Sequence, residues 1–175
     1  MAVYLVRHGE TSYELAEERR LRGGMRDWMP LTPRGVEQAQ EVAERLRSFD
    51  LTLILSSPMT RALQTAAVIS RIVAVPIVVE FDLHEWLPDT TGTYDSTATM
   101  IAAAEERDRL GGEWPPGGDR AWEPESIVRQ RTVRILSRYT THRGLAVVCH
   151  GTIIRILTGR SAGNCEIVEW ESAPA

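Results

Sequence analysis

The 175-residue sequence contains no lysine, only two cysteines and no long hydrophobic run. Two cysteines, Cys149 and Cys165, cannot build a disulfide framework, which indicates a cytoplasmic protein. A net charge of −4 leaves no broad basic face, so binding to nucleic acid or to a membrane surface is not expected. No apolar segment approaches the length of a membrane span, and the apolar start before Arg7 is too short for a signal peptide. All 20 basic residues are arginines, whose forked donors suit phosphate or carboxylate, although a genomic bias produces the same pattern.

Hydrophobic and charged residues are present in ordinary proportions, 43% and 25%, and the length suits one domain over residues 1–175. Short apolar runs alternate with segments of helical periodicity. Strands are predicted at 2–6, 51–55, 77–81 and 145–149, with a closing strand at 167–170. Because helical crossovers join parallel strands, this order predicts an α/β fold, a three-layer α/β/α sandwich around a mostly parallel central sheet.

Two predicted helices begin with a hydroxyl residue followed by proline. The pairs are Thr32-Pro33 and Ser57-Pro58. The hydroxyl is a good N-cap, and proline suits the first helical position. Arg61 then lies in the first turn of the second helix, where it faces the positive end of the helix dipole. An anion shared between Arg61 and the free amide groups of that turn removes the conflict.

Side chains that suit phosphate chemistry follow the ends of four predicted strands. They are Arg7 and His8, Ser57 and Arg61, Glu85, and His150. The carboxyl ends of parallel strands share one edge of the sheet, where open α/β sheets bind their ligands. We therefore expect two histidines, two arginines and one carboxylate to converge on one crevice.

Residues 86–124 are predicted to form a mobile insertion, or lid, over the sheet rather than a second domain, because they lack the apolar residues for a core. A helix at 99–110 is expected to end at two glycines. The three tryptophans of this region either line a pocket mouth or pin the loop to the core. They are Trp86, Trp114 and Trp122.

Several short motifs, in one order along the chain, resemble the histidine phosphatase superfamily, which shares its fold with the phosphoglycerate mutases. The matching stretches are Arg7-His8-Gly9-Glu10-Thr11, Arg20-Leu21-Arg22-Gly23, Pro30-Leu31-Thr32-Pro33-Arg34-Gly35 with Gln38-Ala39, Ser56-Ser57-Pro58 with Arg61-Ala62 and Gln64-Thr65-Ala66, Leu83-His84-Glu85, and His150-Gly151. They extend from the first strand to residue 151, which makes the set far more specific than any one motif.

The resemblance implies that His8 is the nucleophile that becomes phosphorylated and that Glu85 is the proton donor. The residues expected to bind phosphate are Arg7, Arg61, His150, Thr11 and Ser57. Phosphoryl transfer is mostly positioning and cationic stabilisation, which two arginines and a protonated His150 can supply. No metal or cofactor is therefore expected. Nearby cations favour the charged carboxylate, so Glu85 needs burial or bound phosphate to hold its proton.

The sequence departs from the family at two places. The family often has an asparagine three residues after the first motif, where this chain has Glu14. A carboxylate there either points away or meets a different part of the substrate. The residues after Glu85 also differ from the family's glycine and glutamate. The substrate is therefore expected only to be a phosphorylated small molecule or a phosphoprotein, and the oligomeric state is not predicted.

The sequence also allows two other catalytic sites. Cys149 and Arg155 have the spacing of cysteine-dependent phosphatases, but isoleucines occupy part of the loop that should bind the anion. A zinc site from His8, His84, His150 and Glu85 lacks any helical metal motif. We expect Cys149 to be a core residue and His84 to have no role in the site.

Other functions on the same fold also remain open. They are a phosphoglycerate mutase-type transferase, a protein phosphohistidine phosphatase and a non-catalytic phosphate-binding module. All the expected catalytic residues are present, which favours an enzyme. The short insertion favours an open site and hydrolysis.

Overall fold

Five strands form the central sheet of the computed structural model, which describes residues 2–94 and 96–171. They are β1 (Ala2–Arg7), β2 (Leu53–Ser56), β3 (Ile77–Val79), β4 (Gly144–Cys149) and β5 (Ile167–Trp170). Their spatial order is β3-β2-β4-β1-β5, and every neighbouring pair is parallel except β1 with β5. The predicted mostly parallel sheet is confirmed.

Helices cover both faces of this sheet. They are α1 (Tyr13–Glu18), α2 (Pro33–Leu46), α3 (Thr60–Val73), α4 (Thr97–Arg109), α5 (Glu125–Ser137) and α6 (Gly151–Thr158), with short 3-10 helices at Gly23–Trp28 and Phe81–Leu83. Side chains of α2 and α3 share one apolar core with the sheet, and those of α5 and α6 share the other. The three-layer prediction is therefore confirmed. No described helix is both long enough and apolar enough to cross a bilayer.

Strand β4 shows why its sequence is a continuous apolar run. All six of its residues are buried because helices cover both faces of the sheet. Leu145, Val147 and Cys149 enter the core shared with α5 and α6, whereas Ala146 and Val148 enter the other core. The side chain of Cys149 is thus a core residue, as expected.

The two predicted helix starts have different outcomes. The Thr32 hydroxyl accepts a hydrogen bond from the Gly35 amide at 2.9 Å, and Pro33 is the first residue of α2, as predicted. The prediction for Ser57 is wrong, because α3 begins at Thr60 with Met59 as its N-cap. The Ser57 hydroxyl instead contacts His150, a residue distant in sequence.

Some element boundaries differ from the prediction. Residues 12–26 contain α1 and the start of a 3-10 helix. Strand β3, predicted to reach residue 81, is a short edge strand that ends at Val79. The 3-10 helix Phe81–Leu83 then carries Glu85 toward the site.

Within the insertion, indole groups attach loops to the core. The Trp86 indole donates to the Glu123 carbonyl at 2.6 Å, and the Trp114 indole donates to the Trp122 carbonyl at 2.9 Å. Trp122 itself is 1% exposed. All three residues therefore pin the loop to the core, and Trp86 also lines the cavity beside His8.

Candidate active site

The loop after β1 holds His8 against the start of α2 and the side of α3. A Cβ at Gly9 would lie 2.5 Å from the Gly35 carbonyl oxygen, so this close approach requires glycine. The Gly9 amide donates to the Thr65 hydroxyl at 3.0 Å. His8 is consequently buried, with 4% of its surface exposed.

The hydrogen bonds of His8 define its tautomer. Nδ1 lies 2.8 Å from the Gly9 carbonyl oxygen, which only accepts, so Nδ1 carries the hydrogen. Nε2 therefore keeps its lone pair, and it accepts a long hydrogen bond from Arg61 Nε at 3.3 Å. Burial and the neighbouring Arg61 lower the pKa of His8 to about 3. A neutral imidazole with an available Nε2 is the form that can act as a nucleophile.

His150 lies beside His8, with 5.2 Å between the two ring centroids. Its Nε2 is 2.7 Å from the Ser57 hydroxyl, which accepts from the Met59 amide at 3.3 Å and can donate its own hydrogen to the ring. Burial, followed by the charge of Arg61, lowers the pKa of His150 well below its usual value. The phosphate-free site therefore disfavours a protonated His150, and its role as a third cation with phosphate bound stays a prediction.

Two buried side-chain nitrogens have no hydrogen-bond partner among the described residues, Arg7 Nε and His150 Nδ1. The other end of the Arg7 guanidinium is anchored, since Nη1 donates to the Ala162 carbonyl at 2.7 Å. A buried donor without a partner lowers the stability of the folded state, so it indicates a ligand or another partner at that position. Arg7 lines the same cavity as His8, and the His150 ring packs beside the His8 ring, so the oxygens of a phosphoryl group on His8 can accept from both nitrogens.

Arg61 is 3% exposed and contacts several groups at once. Besides His8, its Nη1 donates to Asp27 at 3.1 Å, and its Nη2 lies 3.0 Å from the Met59 sulfur. Its position in the first turn of α3 is as predicted. The ion pair with Asp27 compensates its charge in the absence of an anion.

Glu85 accepts hydrogen bonds from two backbone amides. Oε1 accepts from Trp86 at 2.8 Å, and Oε2 accepts from Thr152 at 3.4 Å. Burial raises the pKa of Glu85, although these amides and Arg61 act in the opposite direction. The structure thereby supplies the burial that a proton donor needs at this position.

The backbone around Glu85 is held by a buried ion pair that no sequence motif predicted. Arg131 of α5 donates to Glu123 at 2.7 and 3.0 Å. The same guanidinium donates to the Asp82 carbonyl and, at 3.3 Å, to the Glu85 carbonyl. Arg131 and Glu123 therefore fix the segment that carries the proposed proton donor.

The site opens into a cavity of about 620 Å³. Four predicted residues line it: Arg7, His8, Arg61 and Glu85. Glu14 also lines this cavity and is exposed, so it does not point away from the site.

Three other predicted residues are not in the cavity wall. Thr11 donates to the Gly9 carbonyl at 3.3 Å, while His150 and Ser57 are buried against each other. Contacts of Thr11, Ser57 and His150 with phosphate stay predictions, as do those of Arg7 and Arg61.

The two other catalytic sites gain no support from the geometry. Burial raises the pKa of Cys149 to about 12, which opposes a thiolate nucleophile. His84 packs on Phe81 with ring centroids 5.2 Å apart, and its Nδ1 donates to the backbone carbonyl of Glu85 at 2.7 Å. Across the described ranges, no three His, Cys, Asp or Glu side chains group as a metal site.

Further residues support the loops of the site without a role assigned from sequence. The Asn164 amide donates to the His8 carbonyl at 2.9 Å, Gln38 accepts from the Glu10 amide at 2.9 Å, and Gln64 accepts from the Leu31 amide at 2.7 Å. Gln38 and Gln64 belong to the matching motifs, so their positions were a usable signal. Asn164 and Asp27 carried no such signal.

Comparisons with known proteins agree with this geometry. Residues 3–172 match the family model described as the histidine phosphatase superfamily (branch 1). A relative from Proteus mirabilis named "Probable phosphoglycerate mutase GpmB" is 44% identical over 85 residues, which are 49% of this chain and 38% of the relative. The chain thus spans about two fifths of the length of the curated relatives it matches, 38%.

Solved structures show the same fold. A mycobacterial glucosyl-3-phosphoglycerate phosphatase in complex with VO3 has a TM-score of 0.72 and 22% identity, covering 96% of this chain and 90% of its own. Bacillus stearothermophilus YhfR has a TM-score of 0.68 and 26% identity, covering 90% of this chain and 78% of its own.

Proposed function

This chain belongs to the histidine phosphatase superfamily, and from that membership we propose that it hydrolyses phosphomonoesters through a phosphohistidine formed on His8. The observation that carries the proposal is the surroundings of His8. A neutral Nε2, whose lone pair accepts only a long hydrogen bond from Arg61, lies in the same site as two buried nitrogens without partners among the described residues, Arg7 Nε and His150 Nδ1. This arrangement suits a nucleophile that attacks a group rich in acceptor oxygens.

In the first step, His8 Nε2 forms a bond to phosphorus as the bond between phosphorus and the alcohol oxygen breaks. Arg7 and Arg61 neutralise charge on the equatorial oxygens, and His150 donates from Nδ1. The leaving alkoxide takes the proton held by Glu85, whose raised pKa favours the acid form. Nδ1 of His8 keeps its bond to the Gly9 carbonyl throughout, which orients the ring.

In the second step, water attacks the phosphohistidine. The Glu85 carboxylate accepts the proton of this water, phosphate leaves, and neutral His8 and protonated Glu85 are restored. A mutase-type transferase would pass the phosphoryl group to a bound alcohol instead of water. Because relatives of this chain are named as mutases, the experiment also tests for transfer to an alcohol.

The test is hydrolysis of a generic aryl phosphate in the presence of a chelator by the wild type, His8→Ala and Cys149→Ser. We expect activity in the wild type and in the cysteine variant, and its loss in the histidine variant. Mass measurement of rapidly quenched wild type should show one added phosphoryl group, which His8→Ala should lack. Loss of activity only in Cys149→Ser, or complete loss with the chelator, would overturn the mechanism.

The same assay separates hydrolysis from transfer. With a second alcohol present, a hydrolase releases all of the phosphoryl group as inorganic phosphate, whereas a transferase gives a new phosphomonoester. A wild type that binds phosphate but turns over no ester would be a phosphate-binding module.

A further inference from the structure

The cavity beside His8 has an apolar wall built by the insertion. Trp86, Leu87, Tyr94, Met100 and Ile101 line it, and all belong to residues 86–124. With about 620 Å³, the cavity has room for a ring-sized group next to the phosphoryl position. Apolar surface of this kind stabilises an apolar alcohol rather than a hydrated sugar or acid.

The cations that line the cavity away from Arg7 are already paired with carboxylates. Arg26 contacts Glu17 at 2.8 Å, and Arg61 contacts Asp27 at 3.1 Å. These pairs leave Arg26 and Arg61 without uncompensated charge for a second anionic group on the substrate.

Arg107 is similarly occupied. It contacts Asp108 at 2.7 Å and Glu125 at 3.5 Å, and its guanidinium lies 4.4 Å from the centre of the Trp86 ring. Because its guanidinium packs on the Trp86 ring, Arg107 contributes to the apolar wall and is not available to bind an anion.

The acidic residues of this cavity differ in their partners. Glu17 and Asp27 are paired with arginines. Asp89 makes no ion pair with a described residue, but it accepts hydrogen bonds from Thr91 and Thr93. Glu14 makes no ion pair with any described residue and is exposed at the cavity wall, so its charge is uncompensated there. A carboxylate or second phosphate on the alcohol would meet like charge there and find no free cation.

Resting on the proposed function, we propose that the substrate is a phosphomonoester of a bulky, apolar and uncharged alcohol, and that Glu14 is a specificity-determining residue that disfavours alcohols carrying an acid. In this assignment the Glu14 carboxylate meets the leaving group and not the phosphate. It also argues against a mutase acting on a phosphorylated carboxylic acid.

The test compares 3-carbamoylphenyl phosphate with 3-carboxyphenyl phosphate, which have nearly the same shape. We expect the wild type to prefer the neutral ester in kcat/KM by about tenfold, the order of magnitude of one like-charge contact. Glu14→Gln should reduce this ratio to about a third or less of its wild-type value. Glu18→Gln is the matched control, because Glu18 lies exposed on the same helix but outside the cavity wall.

The apolar wall is tested with 2-naphthyl and phenyl phosphate. We expect the larger ester to be preferred about tenfold, and Ile101→Ser to remove most of that preference. Ile127→Ser is the matched control: the two isoleucines are 50% and 45% exposed on helices, and Ile127 lies outside the cavity wall.

The outcomes are distinguishable. Two outcomes overturn this inference and leave the proposed function intact. In the first, turnover depends on His8 but Glu14→Gln does not change the charge preference. In the second, turnover depends on His8 and the wild type prefers the carboxylated ester. Absence of turnover with all four esters overturns the proposed function together with this inference.

Discussion

Replacing Glu123 with glutamine removes one charge of the ion pair behind Glu85. The side chains of Arg131 and Glu123 are only 8% and 7% exposed, and two hydrogen bonds of 2.7 and 3.0 Å join them. Glu123→Gln keeps the shape but leaves a buried guanidinium without a counter-charge. Breaking a buried pair in this way costs about 3–5 kcal/mol. At roughly 2–4 °C per kcal/mol for a chain of this size, Tm should fall by roughly 6–20 °C.

The assay is urea denaturation of the wild type and variants, with Glu44→Gln as the control. Glu44 pairs with Arg47 at 2.6 Å, but the two side chains are 60% and 56% exposed. An exposed pair of this kind contributes less than about 1 kcal/mol. If Glu123→Gln changes the free energy of unfolding by no more than Glu44→Gln does, the buried pair does not stabilise the fold as argued.

A second variant separates stability from positioning. In Arg131→Met/Glu123→Leu both charges are absent, and such apolar replacements commonly restore stability. The carbonyls of Asp82 and Glu85 still lose their donor, so kcat should stay reduced while KM changes little. A double variant with both stability and wild-type kcat would refute a positioning role for Arg131.

Three further perturbations test the site. With the pKa of His8 lowered to about 3, kcat/KM should show no acidic limb from His8 above about pH 4, and a limb near its ordinary pKa would contradict the burial argument. Because the pKa of Glu85 is raised on folding, the native state loses stability relative to the unfolded state as the pH rises above the ordinary pKa of a glutamate. Glu85→Gln should therefore unfold at a higher urea concentration than wild type at pH 7 but not at low pH, while kcat falls by about 10²–10⁴. Gly9→Ala places a Cβ 2.5 Å from the Gly35 carbonyl oxygen and should cost about 1–3 kcal/mol in denaturation, whereas an unchanged value would show that the loop can move.

Much of the architecture could be predicted because its causes are local. The apolar runs that form strands and the helix start at Thr32-Pro33 each depend on a few adjacent residues. Because crossovers join parallel strands, the order of these elements along the chain then predicts the sheet. The same reasoning brought Arg7, His8 and Arg61 to one edge of the sheet. Ser57 shows the limit of local patterns. Its sequence context resembles a helix start, but its hydroxyl contacts His150, which is distant in the chain.

The sequence by itself therefore determined the order of elements, the three layers and the residue types at the ends of the strands. Only the tertiary structure decided their chemical state and neighbours. The lowered pKa of His150 depends on burial, and the burial of Arg131 with Glu123 depends on the packing of α5 against the insertion. Likewise, the exposure of Glu14 to the cavity depends on how residues 86–124 fold over the site. Desolvation and pairing are set by residues far apart in the chain, so no local pattern contains them.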